Sequence, residues 1–157
     1  KAMADEIATN LKKLGITLPE AAAPVANYVG WVKTGNLIFT SGQIPLEGGK
    51  ITFVGKLGEN LKIEDGQAAA KLCAINILSQ LNNALKGDLE KIVRCVKLVG
   101  FVNATPDFTD HPQVINGASD FMVAALGDRG RHARSAVGVG SLPRGVAVEV
   151  EGIFEVR

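Results

Sequence analysis

The sequence predicts an α+β fold in two layers: a mixed β-sheet, two main helices packed on one of its faces, and a short N-terminal helix. Three observations carry this expectation. Two long stretches, Asp65–Lys86 and Pro112–Leu126, repeat apolar residues at helical spacing. The single segment between them, Ile92–Asn103, is rich in β-branched residues. The stretch Arg131–Val156 alternates with the period of two that places successive side chains on opposite faces of a strand. Helices separated by one strand both cover one face of one sheet. Strand–helix–strand steps of this kind predict right-handed crossovers between parallel neighbours.

Taken in order, Met3–Leu14 reads as a helix, with Ala4, Ile7, Ala8, Leu11 and Leu14 in phase. Gly15 stops it and Pro19 confirms the break. Residues 19–27 are an Ala/Pro connector. Tyr28–Lys33 and Leu37–Ser41 form a hairpin about Thr34-Gly35-Asn36, followed by a Gly-rich loop through Gly58. That loop lacks the spacing of a phosphate-binding loop. In the first long helix Ala68, Leu72, Ile75, Leu78, Leu81 and Leu85 make one wide stripe with Ala69 and Cys73 beside it, Asp65 as N-cap and Gly87 at C′. In Ile92–Asn103, Gly100 marks a bulge or bend. The second long helix has Pro112 in its first turn, a stripe of Val114, Ala118, Phe121 and Ala125, and Gly127 at its end. Asn116 falls off that stripe. The chain closes as a second hairpin, Ala133–Gly140 and Val146–Val156, turning at residues 141–145. Its last strand sends Val146, Val148, Val150, Phe154 and Val156 one way and Glu149, Glu151 and Glu155 the other. With both helices on one face, the opposite face is left open and partly apolar. A symmetric oligomer is the simplest cover for it.

Composition narrows the function classes. The 157 residues suit one domain; 46% are hydrophobic, 21% are charged, and the net charge is +1. Balanced charge, one Trp and one Tyr argue against a nucleic-acid surface. No apolar run approaches the ~18 residues of a membrane span, so no membrane partner is expected. Cys73 and Cys95 sit in apolar patterns and read as buried free thiols. With no secretory pattern near residue 1, the expectation is a cytoplasmic protein. His111 and His132 have no metal-ligand spacing, so no metal is expected.

Arg134 leaves its strand in phase with Ala136, Gly138 and Gly140, so small neighbours leave room around it. A guanidinium offers a planar fork to a carboxylate. Two readings fit: a ligand-gripping cation, or an ion pair with Glu149 or Glu151 on an adjacent strand. Glu149 in turn is either that partner or a group that holds a water. Tyr28 reads as a buried packing residue with its hydroxyl satisfied, and Asn116 as a solvated helix residue.

At these positions the sequence resembles the RidA/YjgF family of reactive intermediate deaminases, also labelled endoribonuclease L-PSP or chorismate-mutase-like. The likeness rests on Tyr28-Val29, Asn36–Pro45 with its Ser-Gly-Gln-Ile-Pro run, and Asp107-Phe108. It continues through Val114-Ile115-Asn116, Ala133-Arg134-Ser135, Leu142-Pro143 and Val148–Glu151. It divides the chain into an N-terminal helix and connector, residues 1–23, and a RidA/YjgF-like domain, residues 24–157. It implies a homotrimer whose sheets close a central β-barrel, with sites between subunits. It also implies hydrolysis of reactive 2-imino and enamine acids to 2-keto acids and ammonia, without a cofactor. Arg134 would hold the substrate carboxylate and Glu149 a water, as the catalytic pair. Tyr28, Ser41, Gly42 and Asn116 would complete the substrate site. A non-enzymatic carboxylate-binding trimer is the alternative, and ribonuclease activity a more remote one. The chain departs from the deaminase pattern at Ala136, where those members carry cysteine. Trp31 is expected near the site entrance.

Overall fold

A computed structural model describes residues 5–157 of the chain. Helix α1 spans Glu6–Lys13; the predicted start at Met3 lies outside the described residues. Ile7 and Leu11 are its buried positions. At its end Ile16 N–H reaches Leu11 O at 2.9 Å and Gly15 N–H reaches Lys12 O at 3.0 Å, a Schellman closure with Gly15 at C′. The first hairpin is β1 (Trp31–Thr34) and β2 (Leu37–Thr40), with Thr34 opposite Leu37 across a Gly35-Asn36 turn. The Gly-rich loop carries a small hairpin of its own, β3 (Leu46–Glu47) and β4 (Lys50–Ile51).

Helix α2 runs Ile63–Ala84. Its N-cap position is Lys62, three residues before Asp65. Asp65 instead sits at the third helical position, where its Oδ2 accepts from Lys62 N–H at 2.9 Å. Gly87 N–H bonds Asn82 O and Lys86 N–H bonds Asn83 O, so Lys86, at φ +53°, takes the C′ place expected of Gly87. The buried face keeps Ile75, Leu78, Leu81 and Leu85 of the predicted stripe, with Ala69 and Cys73, but is wider and leaves out its N-terminal members. Ala68 is exposed and Leu72 only half-buried, whereas Ala69, Ala70, Cys73, Ala74 and Ile77 are fully buried. The cause is a second neighbour: α2 packs against both the sheet and helix α3 (His111–Leu126).

Strand β5 occupies Ile92–Asn103, as the sequence predicts, followed after α3 by β6 (Ala133–Val139) and β7 (Val148–Val156). The sheet order is β1-β2-β7-β5-β6. The step β5–α3–β6 joins parallel neighbours. The step β2–α2–β5 does not, because β7 inserts between those two strands and runs antiparallel to both. The closing segment is therefore not a hairpin. Strand β6 lies at the sheet edge, and β5 separates it from β7.

Gly100 does not mark a bulge, since Lys97 to Asn103 pairs without a break with both neighbours; the register shifts lie earlier, between Ile92 and Lys97. A Cβ on Gly100 would run into Ile115 of α3. Gly117 of α3 stands against the Gln67 backbone carbonyl of α2, so the two helices cross at backbone contact. Both glycines set how closely the helix layer approaches. Val146, Val148, Val150, Phe154 and Val156 all face the core. The opposite sheet face lies open, as expected, with Val32, Phe39 and Val137 exposed beside the half-buried Glu149 and Glu151. Among the described residues no helix is long and apolar enough to cross a membrane.

Gly117→Ala is expected to destabilise the protein by about 1–3 kcal/mol, because overpacking outweighs the ~1 kcal/mol that Ala gains over Gly in a helix. Urea denaturation measures this, and a stabilised variant would contradict the close crossing.

Candidate functional site

Two polar clusters emerge, on opposite faces of the sheet. The first surrounds Glu149. Phe39 pairs with Ile153, Thr40 bonds Gly152 N–H through its hydroxyl at 3.0 Å, and Gln43 pairs with Val150. Two residues, Ser41 and Gly42, therefore face one, Glu151. This is a β-bulge, the device that re-aims a strand beside a site. The bulge lays the Gly42 backbone under the Glu149 carboxylate, and a Cβ at Gly42 would overlap it. Ser41 donates from Oγ to Val29 O at 2.6 Å and from its amide to Gly30 O at 2.9 Å. Its hydroxyl thus anchors the segment that carries Tyr28.

Tyr28 is 55% exposed, not buried in the core. Together with Ser41, Gly42, Arg144 and Glu149 it lines a cleft of about 490 Å³, a volume ordinary for small-molecule sites. Trp31 is not among the cleft's lining residues. Its indole donates to Asn83 Oδ1 at 3.0 Å, at the end of α2. Pattern reading passed over Arg144, Asn76 and Gln43. Arg144 sits at φ +61° in a 3₁₀ turn of Pro143–Gly145. Asn76 donates to the Ile44 and Leu46 carbonyls, and Gln43 to Ser41 O, which fixes the cleft wall.

Partial burial, and then the like charge of Glu151, hold the Glu149 carboxyl above its ordinary range. Glu149 is consequently a stronger base than a solvated carboxylate. Glu151 thus has an electrostatic role toward Glu149.

The second cluster surrounds Arg134. Its register partner is Leu98, which is fully buried, so Arg134 rises on the helix face of edge strand β6. There NH1 donates to Asn116 Oδ1 at 2.8 Å and to Ser119 Oγ at 3.1 Å, while NH2 lies 3.5 Å from Pro112 O. Asn116 is therefore not simply solvated; it orients the guanidinium. NH1 has both hydrogens occupied, and no described residue accepts from Nε. NH2 gives one hydrogen to Pro112 O, so Nε and the other NH2 hydrogen remain as a two-pronged donor. Ser119 was legible in principle, three residues after Asn116 on the same helix face. His132, two before Arg134, bonds Ser119 Oγ through Nε2 at 2.8 Å.

The predicted site residues thus divide. Arg134 and Asn116 stand together, as do Tyr28, Ser41, Gly42 and Glu149, but one copy of the chain does not bring the two groups into contact. Glu149 pairs with Phe101 and Arg134 with Leu98, on alternate faces of β5. The expected alternative of an Arg134 ion pair with Glu149 or Glu151 fails for that reason. The ion pairs among the described residues are Arg129 with Glu6 and Glu90, and Arg131 with Asp128. Among the described residues no group of three His, Cys, Asp or Glu is placed to hold a metal. Both cysteines are buried free thiols; burial pushes Cys95 up to about 12 and Cys73 well above the usual thiol range. Neither is a ready nucleophile.

An α+β domain with an open sheet face, and with a carboxylate cleft and a guanidinium on opposite sides, defines a class found among known proteins. Residues 8–148 match the family model described as "YjgF/chorismate_mutase-like, putative endoribonuclease". The chain belongs to this RidA/YjgF family. It is 50% identical over 154 residues to protein TCP17 of Trypanosoma cruzi, covering 96% of this chain and 94% of that one. It is 32% identical over 143 residues to the 2-iminobutanoate/2-iminopropanoate deaminase of Escherichia coli, covering 88% and 94%. Among solved structures, a protein of unknown function from Agrobacterium tumefaciens superposes with a TM-score of 0.93 at 49% identity, covering 99% and 96%. E. coli TdcF with bound serine superposes with a TM-score of 0.63 at 26% identity, covering 88% and 94%.

Glu151→Gln is expected to lower the titration midpoint of Glu149, because it removes a like charge, yet to leave it above 4.5, because the burial remains. Carboxyl ¹³C NMR reads this directly. An unchanged midpoint would show that the two carboxylates do not interact.

Proposed function

We propose that the protein hydrolyses reactive 2-imino and enamine acids to 2-keto acids and ammonia, at sites shared between neighbouring copies of a homotrimer. The observation that carries this is the state of Arg134. Asn116 and Ser119 occupy NH1, Pro112 O takes one NH2 hydrogen, and Nε with the other NH2 hydrogen is left as a two-pronged donor. Such an edge matches a carboxylate, and a 2-imino acid carries its carboxylate on the carbon to be attacked. The named activity of the E. coli deaminase relative and the serine bound to TdcF support a small carboxylate-bearing ligand.

The other half of the chemistry comes from Glu149 of a second copy. Its carboxylate takes a proton from water as the water oxygen bonds to the C=N carbon. The C=N π pair moves to nitrogen, giving a tetrahedral aminol. Glu149 returns that proton to nitrogen, then takes the hydroxyl proton as the C–N bond breaks, so the C=O forms and ammonia leaves. An enamine first gains a proton at C3 to become the iminium. The raised affinity of Glu149 for protons suits this exchange. Tyr28 and Gly42 shape the wall behind the water, and Ser41 holds that wall in place. The substrate arrives activated, so the reading needs no cofactor. The exposed Val32, Phe39 and Val137, with Glu149 and Glu151 beside them, form the face that a symmetric assembly would cover around a central barrel.

Two measurements test this. With 2-iminopropionate generated in situ, adding the protein should accelerate pyruvate formation, and Arg134→Ala should lower kcat/KM by at least about a hundredfold with the assembly intact, as for a lost charge-assisted pair. Unchanged rates with the intact protein would contradict deamination; pyruvate binding without turnover would favour a carboxylate-binding trimer instead. The rate should also fall as pH drops through the Glu149 midpoint, above 4.5, because the protonated carboxyl cannot accept from water. A rate constant down to pH 4.5 would remove Glu149 from that role.

A further inference from the structure

A chain of hydrogen bonds lies behind the Arg134 guanidinium, on the side away from its open edge. His132 Nδ1 is 2.6 Å from the Gly130 carbonyl oxygen. A carbonyl only accepts, so Nδ1 carries the hydrogen. In the neutral ring Nε2 is then an acceptor, and Ser119 Oγ donates to it across 2.8 Å. With its hydrogen committed to His132, Ser119 turns lone pairs toward Arg134 NH1 at 3.1 Å. Asn116 Oδ1 takes the other NH1 hydrogen at 2.8 Å. With the ring neutral, each hydrogen in the chain has one acceptor, and the order of donation has a single solution.

We propose that Ser119 and His132 are positioning residues for Arg134, and that the protonation of His132 sets how tightly the open guanidinium edge holds a carboxylate. This inference rests on the reading of Arg134 as a carboxylate site. When His132 gains a proton at Nε2, ring and guanidinium both donate to Ser119 Oγ, whose own hydrogen must turn elsewhere. The imidazolium also places a second positive charge behind Arg134. Without ligand the two cations repel: burial first, and then Arg134, hold the ring below its ordinary range, against the Gly130 bond. A carboxylate on the open edge offsets that repulsion. Carboxylate binding therefore favours the protonated ring, and by reciprocity the protonated ring favours carboxylate binding.

The other charged groups on the elements packed around His132 are committed elsewhere or exposed. Arg131 pairs with Asp128, Arg129 with Glu6 and Glu90, and Arg94 donates to the Arg131 carbonyl. Asp120 is exposed on α3, and Lys97 lies on the opposite face of β5 from Leu98 and Arg134. Arg134 is the charge that acts on the ring.

The test follows the ¹⁵N signals of His132 through a pH titration, without and with pyruvate. In the free protein the neutral ring should be the Nδ1–H tautomer, and Arg134→Gln should raise its midpoint by removing the neighbouring cation. Saturating pyruvate should also raise the midpoint, and pyruvate affinity should increase as pH falls through it. In His132→Gln that dependence should vanish, leaving only the change due to Glu149. Ser119→Ala should weaken pyruvate roughly tenfold, the effect of one hydrogen bond to a charged group, and Ser119→Thr should restore it. A midpoint unmoved by Arg134→Gln, or pyruvate bound with His132 unmoved, overturns the proposal. If pyruvate fails to bind while Arg134→Gln moves His132, the carboxylate reading of Arg134 is what fails, and the control of affinity falls with it.

Discussion

The structure turns on the central place of β7. Its even residues, Val148 to Val156, are buried against the helices, which forces Glu149 and Glu151 onto the other face. Strand β5 then separates it from β6, whose Arg134 rises on the helix side. A period of two therefore places the base and the cation on opposite sides of one sheet. Glu149 cannot be moved to the other side without a register slip that would expose the core run of β7. Chemistry that needs both groups must draw them from two copies of the chain, and the open apolar face gives those copies a reason to meet.

Local devices refine this arrangement. The Ser41–Gly42 bulge brings bare backbone beneath Glu149, and the Ser41 hydroxyl ties down the segment bearing Tyr28. Gly100 and Gly117 let α3 settle close enough to β5 and α2 for Asn116 and Ser119 to reach Arg134. Glu149 and His132 are displaced in opposite directions: burial and a like charge disfavour the carboxylate in one case and the imidazolium in the other. Each half of the site thus holds a group biased toward its neutral form.

Much of this was legible in the sequence, because it depends on period and on local chemistry. The bounds of β5, the burial of alternate residues on β7, the ends of α3 and the open sheet face follow from apolar spacing alone. Strand pairing does not. A turn at residues 141–145 between two alternating segments looks like a hairpin, and nothing local reveals that β5 lies between them. That single error produced the expected Arg134–Glu149 pair. The face of α2 was drawn too narrow for a related reason: a helix with two neighbours buries more than one stripe, so Ala70, Ala74 and Ile77 are buried too. The resemblance identified Tyr28, Ser41, Gly42, Asn116, Arg134 and Glu149, whereas pattern left most of them ambiguous. Ser119 and His132 needed coordinates, since their roles lie in hydrogen bonds among three elements.

The central claim is that Arg134 of one copy works with Glu149 of another. Mixing two inactive variants, Arg134→Ala and Glu149→Gln, after unfolding and joint refolding tests it most directly. If the groups come from different copies, random assortment in a closed ring restores roughly a quarter of wild-type deaminase activity. If both groups serve from within a single copy, the mixture stays as inactive as its parents, and that result would contradict the account.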